Sequence, residues 1–196
     1  APALPARGTE TDGHGARGGL EIMHTMKPVT NVIIAGVGGQ GVVKASDILT
    51  EAVFRAGFDV KKSEIHGMSQ RGGSVASDIR FGEQVLSPMV PPGEADFILV
   101  MSEDEAQAVE SQLKEGGTLL TPESLPGYID EDADEDEDEE TRLRLRCMNV
   151  ALLGGLSTLL DIPDSCWREA LCANLPKRAW EFNEKVFQLG RELVDK

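Results

Sequence analysis

The sequence predicts an α/β fold, a Rossmann-like three-layer αβα sandwich built on a mostly parallel sheet. Three observations predict it. The stretch Asn31-Val-Ile-Ile-Ala-Gly36-Val-Gly38-Gly39-Gln40-Gly41-Val-Val-Lys44-Ala45 is a β-branched run that stops at glycines and passes at once into a helical period. Asp96 to Met101 is almost wholly apolar, as a strand buried on both faces should be. Strand-like and helix-like segments then alternate through short links, which calls for helices on both faces of one sheet.

The totals bound the rest. A chain of 196 residues is one domain with appendages, and 40% hydrophobic residues make a real core. Aromatics are few, at 5%, so that core is aliphatic. A net charge of −15 argues against a nucleic-acid partner. Ten acidic residues crowd into Asp130–Glu140, broken only by Ala133; without them the charge is −15 + 10 = −5. Such a run cannot pack against itself and is expected as an acidic mobile loop over 130–140. Residues 1–27, rich in Ala, Gly, Pro and Arg, are expected as a disordered arm, leaving 28–196 as the single domain. The chain opens with Ala, and Met23 and Met26 are candidate starts. Cys147, Cys166 and Cys172 form no CxxC pair, so neither a disulfide framework nor a cysteine-held cluster is expected. A reducing cytoplasm fits. No apolar run reaches the ~18 residues of a membrane span.

Taken in order, Val29–Ala35 is the first strand. Gly41–Ala56 is the first helix, with Val42, Ala45, Ile48, Leu49, Ala52 and Val53 on one stripe and Gly57 as its stop. Asp59–Glu64 is a second strand. Ser74–Phe81 is a third, its period of two setting Val75, Ser77, Ile79 and Phe81 against a wetter Ser74, Ala76, Asp78 and Arg80. Pro88, Pro91, Pro92 and Gly93 mark a loop. The Asp96–Met101 strand leads to a helix from Ser102 to about Lys114, with a capping-box pattern at Ser102 and Glu105. Gly116-Gly117 reads as a turn before a short strand, Thr118–Thr121, and a loop over 122–127. Leu143–Arg146 reads as a last strand. Asn149–Leu160 is a small-residue helix in which Gly154-Gly155 permits close packing. Asp164 caps a helix over 165–174. Pro176–Val194 is the final amphipathic helix, with Trp180, Val186, Phe187 and Leu189 as anchors.

Two stretches carry chemistry. Gly36, Gly38 and Gly41 satisfy G-x-G-x-x-G between a strand and a helix, whose first N–H groups and positive end suit an anion. Gly39 lies within the turn, and Gln40 offers an amide there to a ligand or a neighbouring subunit. Asp59 lies eighteen residues past Gly41, near the place of a ribose-binding acid. The second stretch is Ser63-Glu64-Ile65-His66-Gly67-Met68-Ser69-Gln70-Arg71-Gly72-Gly73-Ser74, polar, glycine-rich and following a strand. Loops after strand ends line the crevice of a doubly wound sheet, so this one belongs beside the Gly36–Gly41 turn. His66 and Arg71 are candidates either for catalysis or for binding and subunit contact. An arginine on flexible backbone suits a carboxylate or phosphate. No Ser/His/Asp set, Walker lysine or metal-ligand spacing is present; Lys44 falls three residues after Gly41 and makes no P-loop.

Gly36-Val-Gly-Gly-Gln-Gly-Val, the Ser63–Val75 stretch, Arg80-Phe-Gly and Ser87-Pro, in that order, resemble the gamma-type domain of 2-oxoacid:ferredoxin oxidoreductases. The His66-Gly-Met-Ser-Gln-Arg-Gly-Gly form is most similar to the beta-subunit branch of the indolepyruvate:ferredoxin oxidoreductases. Met148-Asn149-Val-Ala-Leu-Leu-Gly-Gly-Leu and Phe187-Gln-Leu-Gly-Arg-Glu resemble that family's closing helices. The resemblance covers about 29–129 and 146–195; the arm and the acidic run stand outside it.

The resemblance implies a division of labour. A partner alpha subunit carries thiamine diphosphate, Mg²⁺ and [4Fe–4S] clusters. There a 2-oxoacid is decarboxylated, oxidised by one-electron steps to ferredoxin, and passed to coenzyme A. This chain is then an accessory subunit, inactive alone. Its cofactor-facing residues are Gly36, Gly38, Gly39, Gln40 and Gly41 on the turn, and Met68, Ser69, Gln70, Arg71, Gly72 and Gly73 on the loop. Beyond the resemblance itself, coenzyme A is a candidate visitor to the shared site, since its pyrophosphate suits a glycine turn and an arginine. Two other readings stay open: a free-standing NAD(P)-dependent Rossmann dehydrogenase, and a non-catalytic binding module.

Overall fold

The computed structural model describes residues 28–66, 73–129 and 138–194. The expected arm at 1–27 and residues 130–137 of the acidic run lie outside them. The strands are β1 (Thr30–Val37), β2 (Asp59–His66), β3 (Ser74–Gly82), β4 (Ala95–Val100) and β5 (Leu113–Leu120). The helices are α1 (Val42–Arg55), α2 (Glu103–Val109), α3 (Glu139–Arg146), α4 (Met148–Thr158), α5 (Asp164–Asn174) and α6 (Trp180–Val194).

The five strands form one sheet in the order β2-β3-β1-β4-β5. β1 pairs in parallel with β4, and β4 with β5, while β3 runs antiparallel between β1 and β2. Four strands thus share one direction and β3 alone is inverted. The cause is the short connection: β2 ends at 66 and β3 starts at 74, and a parallel crossover needs about a dozen residues or more.

The two faces are unequally covered. On one, Val32, Ile34, Ile79 and Leu99 meet α1 and the α4–α6 region in the main core. α1 lies over β1, β2 and β3, α5 packs on α1, and α6 packs on α4. The α1 stripe is buried as predicted. Each of its larger aliphatic residues contributes roughly 1.5–3 kcal/mol by burial, so α1 forms although no side chain caps its N-terminus. On the second face, Ile33, Ile98 and Val100 meet Val90, Ala106 and Val109, from the segment 83–94 and the seven-residue α2. In α6, Val186 and Phe187 are buried, and the Phe187 ring lies 5.5 Å from that of Trp167. α4 and α6 approach backbone to backbone: a Cβ on Gly154 would strike Phe187 O, and one on Gly190 would strike Ala151 O.

Several expectations need correction. Leu143–Arg146 is the end of helix α3, not a strand. Asp138 caps that helix through the Glu140 and Thr141 N–H groups, and Arg144 pairs with Glu140 one turn back at 2.6 Å. Residues 138–140 therefore start a helix rather than end a loop. The helix from Ser102 stops at Val109, and β5 begins at Leu113. Gly116 and Gly117 lie inside β5; Gly116 has φ +76° and sits within a register shift against β4, so a bulge replaces the turn. The Ser102–Glu105 box does not form, since Glu105 instead accepts a bond from Ser74 Oγ. Asp164 sits inside the first turn of α5, with Pro163 at the cap, and its carboxylate meets Arg191 at 2.6 Å.

Candidate functional site

Strands that run together leave their C-terminal ends on one side of a sheet, and crevices form there. β1 ends on that side and turns through 38–41 into α1. Gly38 N donates to Gly73 O at 3.0 Å, Gln40 N to Val37 O at 3.1 Å, and Val37 N to Gln40 Oε1 at 2.8 Å. Gln40 thus folds back over Gly36, where an added Cβ would come within 2.7 Å of Oε1. Half of the amide expected to serve a ligand is used inside the turn, which leaves Nε2 for that purpose.

Gly41 holds φ 80° at the start of α1, a conformation that only glycine adopts cheaply. Its missing Cβ is also needed, because Asn149 Nδ2 would lie 2.5 Å from it. Asn149 is buried, donates Nδ2 to Gly41 O at 3.2 Å, and accepts from Val150 N at 3.0 Å. One asparagine therefore locks the start of α4 onto the back of the glycine turn. Nothing in the sequence marked Asn149 for this role; only the pairing of α4 with the turn in space reveals it. On the front, Gly39 has φ 103° and no heavy atom within 4 Å of its Cβ position. Another backbone or a phosphate can approach there.

A cleft of about 370 Å³ opens beside Gly39 and Gln40. That volume falls within the range of about 300–1,000 Å³ usual for small-molecule sites. Met101, Leu145 and Met148 give it apolar wall, and Arg142 and Arg146, one turn apart on α3, give it positive charge. The sequence reading missed both arginines: it placed Arg146 in a strand over 143–146 and Arg142 in no element. α3 is held in place from beneath by buried Tyr128, whose hydroxyl donates to Arg144 O at 2.8 Å. Burial pushes the Tyr128 phenol above its ordinary value. At the start of α3, bonds from the Thr141 hydroxyl and the Glu140 and Thr141 N–H groups hold the Asp138 carboxyl below the ordinary range. No acidic side chain stands in the first turn of α1.

His66 ends β2 at the same edge. It pairs with Val75, which pairs with Gly36, so the three form a row across the sheet. Two strand spacings put the His66 backbone about 10 Å from Gly36. Met68, Ser69, Gln70, Arg71 and Gly72 lie outside the described residues. Their flanks, His66 and Gly73, are both at the glycine-turn end. Asp59 is not: it starts β2, paired with Gly82 at the opposite end of the sheet. It accepts from Val85 N at 2.8 Å and pairs with Lys61 at 2.6 Å, so it is a loop-holding residue and not a ribose acid. Among the described residues, no three His, Cys, Asp or Glu side chains gather as a metal site, and no helix is long and apolar enough to cross a membrane.

This architecture has known counterparts. Residues 31–193 match the family model described as pyruvate ferredoxin/flavodoxin oxidoreductase. The indolepyruvate oxidoreductase subunit IorB of Thermococcus kodakarensis is 32% identical over 82% of this chain and 93% of its own. The subunit of the same name from Methanothermobacter thermautotrophicus is 42% identical over 50% of each chain. Among solved structures, the keto/oxoacid ferredoxin oxidoreductase gamma subunit from Geobacter sulfurreducens superposes with a TM-score of 0.66 at 24% identity, covering 84% of this chain and 98% of that one. The 2-oxoglutarate:ferredoxin oxidoreductase of Magnetococcus marinus gives 0.70 at 20% identity, covering 86% of this chain and 31% of that one. Below 25% identity these two speak for the fold, which is the mixed α/β sheet described above. With the family model matched from the first strand to the last helix, the chain belongs to the pyruvate ferredoxin/flavodoxin oxidoreductase family.

Proposed function

We propose that this chain is the accessory subunit of an indolepyruvate-type 2-oxoacid:ferredoxin oxidoreductase, which oxidatively decarboxylates an aryl pyruvate to its acyl-CoA with electrons passing to ferredoxin. The observation that carries the proposal is the glycine turn: locked from behind by Asn149, open in front at Gly39, and flanked by both ends of the β2–β3 connection and by α3. The likeness to IorB from T. kodakarensis, over 93% of that chain, supports the indolepyruvate class.

In this reading the partner alpha subunit brings thiamine diphosphate, Mg²⁺ and [4Fe–4S] clusters, and ferredoxin meets the complex there. The complex works in the cytoplasm. The present chain supplies the wall on the glycine-turn side of a shared site. Coenzyme A fits that wall chemically. Its pyrophosphate suits the open Gly39 peptide, the helix start and Arg71, and the cleft walled by Met101, Leu145 and Met148 offers apolar contact beside two guanidinium groups. The solved M. marinus enzyme is described with coenzyme A and succinyl-CoA bound. His66 and Arg71 act here in binding and subunit contact. A nicotinamide reading loses its ribose acid, because Asp59 stands at the wrong end of the sheet.

The test is co-expression with a thiamine-binding, cluster-carrying partner, followed by CoA-dependent reduction of ferredoxin with indolepyruvate, phenylpyruvate and pyruvate. Turnover is expected only when both chains are present, and faster with the two aryl substrates. Full turnover by the partner alone, or failure of the two chains to co-purify, would contradict the proposal.

A further inference from the structure

Most of helix α3 falls between the two stretches that carry the family resemblance, yet the helix borders the glycine turn. It bears three arginines, and the helical period divides them. Arg142 and Arg146, four residues apart, share a face, and Arg144 lies across the helix from them. Arg144 holds the helix in place: Nη1 donates to Tyr128 O at 3.3 Å and Nη2 to Glu140 Oε1 at 2.6 Å. The Tyr128 hydroxyl, on a buried ring, donates back to Arg144 O at 2.8 Å. This clamp fixes the rotation of α3 about its axis. With Arg144 turned to Tyr128, Arg142 and Arg146 line the cleft beside Gly39 and Gln40.

The same helix is tied in register to the glycine turn. Cys147 closes α3 and opens α4, with no linker between them. Two positions on, Asn149 donates to Gly41 O at 3.2 Å. The short stretch 146–149 therefore joins the second arginine to the back of the turn. Like charges one turn apart on a helix repel each other, and an anion bound between them relieves that repulsion. The pair is thus built for an anion that is present at the glycine turn.

Coenzyme A carries phosphate in two places, the pyrophosphate and the 3′-phosphate of its adenosine. The open Gly39 peptide and Arg71 serve the first. The second is a monoester, close to a dianion at neutral pH. Two guanidinium groups match it in charge and in fork geometry. Met101 and Met148 bring thioethers to the same cleft, where they suit the edge of an adenine ring. We infer that Arg142 and Arg146 hold the 3′-phosphate of coenzyme A, and so make this chain select coenzyme A over forms that lack that phosphate. The inference rests on the coenzyme A reading above. A cleft of about 370 Å³ is near the lower end of the usual range for ligand sites, so it takes the adenosine end of so long a molecule and leaves the thiol end to the partner subunit.

The test compares coenzyme A with dephospho-coenzyme A by calorimetry on the reconstituted complex, without a 2-oxoacid, so that binding is read and not turnover. The unmodified complex should bind coenzyme A about tenfold or more tightly than the dephospho form. In the double variant Arg142→Gln, Arg146→Gln that preference should vanish through weaker binding of coenzyme A alone. Arg142→Lys, Arg146→Lys should keep part of it, because the charges stay and the forks are lost. Equal binding of the two ligands by unmodified protein overturns the inference, whatever the variants do. A preference that survives the glutamine changes overturns it too, as does an equal loss for both ligands, which would put the arginines on the pyrophosphate. A glutamine variant that keeps its melting temperature but no longer assembles overturns it in favour of a subunit contact. If the unmodified complex binds neither ligand, the coenzyme A reading fails and this inference with it.

Discussion

Gly41 and Asn149 form a contact in which each residue explains the other. Gly41→Ala forces a β-carbon into the left-handed region, at about 1–2 kcal/mol, and also into the Asn149 amide. Urea denaturation should register a loss at or above that range. In an Asn149→Ala background the same change should cost less, because the collision disappears while the backbone strain remains; equal losses in both backgrounds would show that Asn149 does not press on the turn. Asp78 offers a pH test. Burial raises its carboxyl above the ordinary 3.8, against the opposing Val90 N–H and the Arg80 charge. A raised folded-state value means that the native chain keeps a proton the unfolded chain releases. That stability is complete below the ordinary value and is lost as pH rises through the folded-state value. Asp78→Asn keeps an acceptor for Val90 N and removes the loss, so its melting temperature relative to unmodified protein should climb from pH 4 to pH 7. A difference that does not vary with pH would refute the assignment. Single residues were the least legible part of the sequence. Gln40 was visible as the odd residue in a glycine turn, but not its bond to Val37 N; Asp59 matched a spacing and lay at the wrong end of the sheet.

At the scale of elements, legibility followed amphipathicity. The α1 stripe and the solid β4 strand were readable because burial dictates their pattern. α3 was not. Leu143 and Leu145 alternate with arginines like a strand, and what decides for helix is the Asp138 cap with the Glu140–Arg144 pair. Gly116-Gly117 has the composition of a turn but serves as a bulge, which only pairing with β4 reveals. The inverted β3 was hidden in the length of a connection. The α4–α6 contact was legible in Gly154-Gly155, though not its second half at Gly190. Gly190→Ala should cost about 1–3 kcal/mol by overpacking, read in the same urea experiment, and should loosen α6 in hydrogen exchange before the rest of the domain. Unchanged stability would mean that the helices can part without cost.

The whole molecule has a polarity that no single motif discloses. One end of the sheet carries the glycine turn, the α3 arginines and both ends of the β2–β3 connection; the other carries the segment 83–94, pinned where Arg80 donates to Ser87 O. Among the described residues, helices bank heavily on one face, while the other is covered by the short α2 and the segment 83–94. The central claim is that the glycine-turn end is a wall of the shared active site. Its most direct test is the KM for coenzyme A in the reconstituted complex after Arg71→Ala. The expected result is a KM raised about tenfold or more, as for loss of one charge-assisted bond of roughly 1.5–3 kcal/mol, with the KM for the 2-oxoacid little changed. An unchanged KM for coenzyme A in a fully assembled complex would contradict the claim.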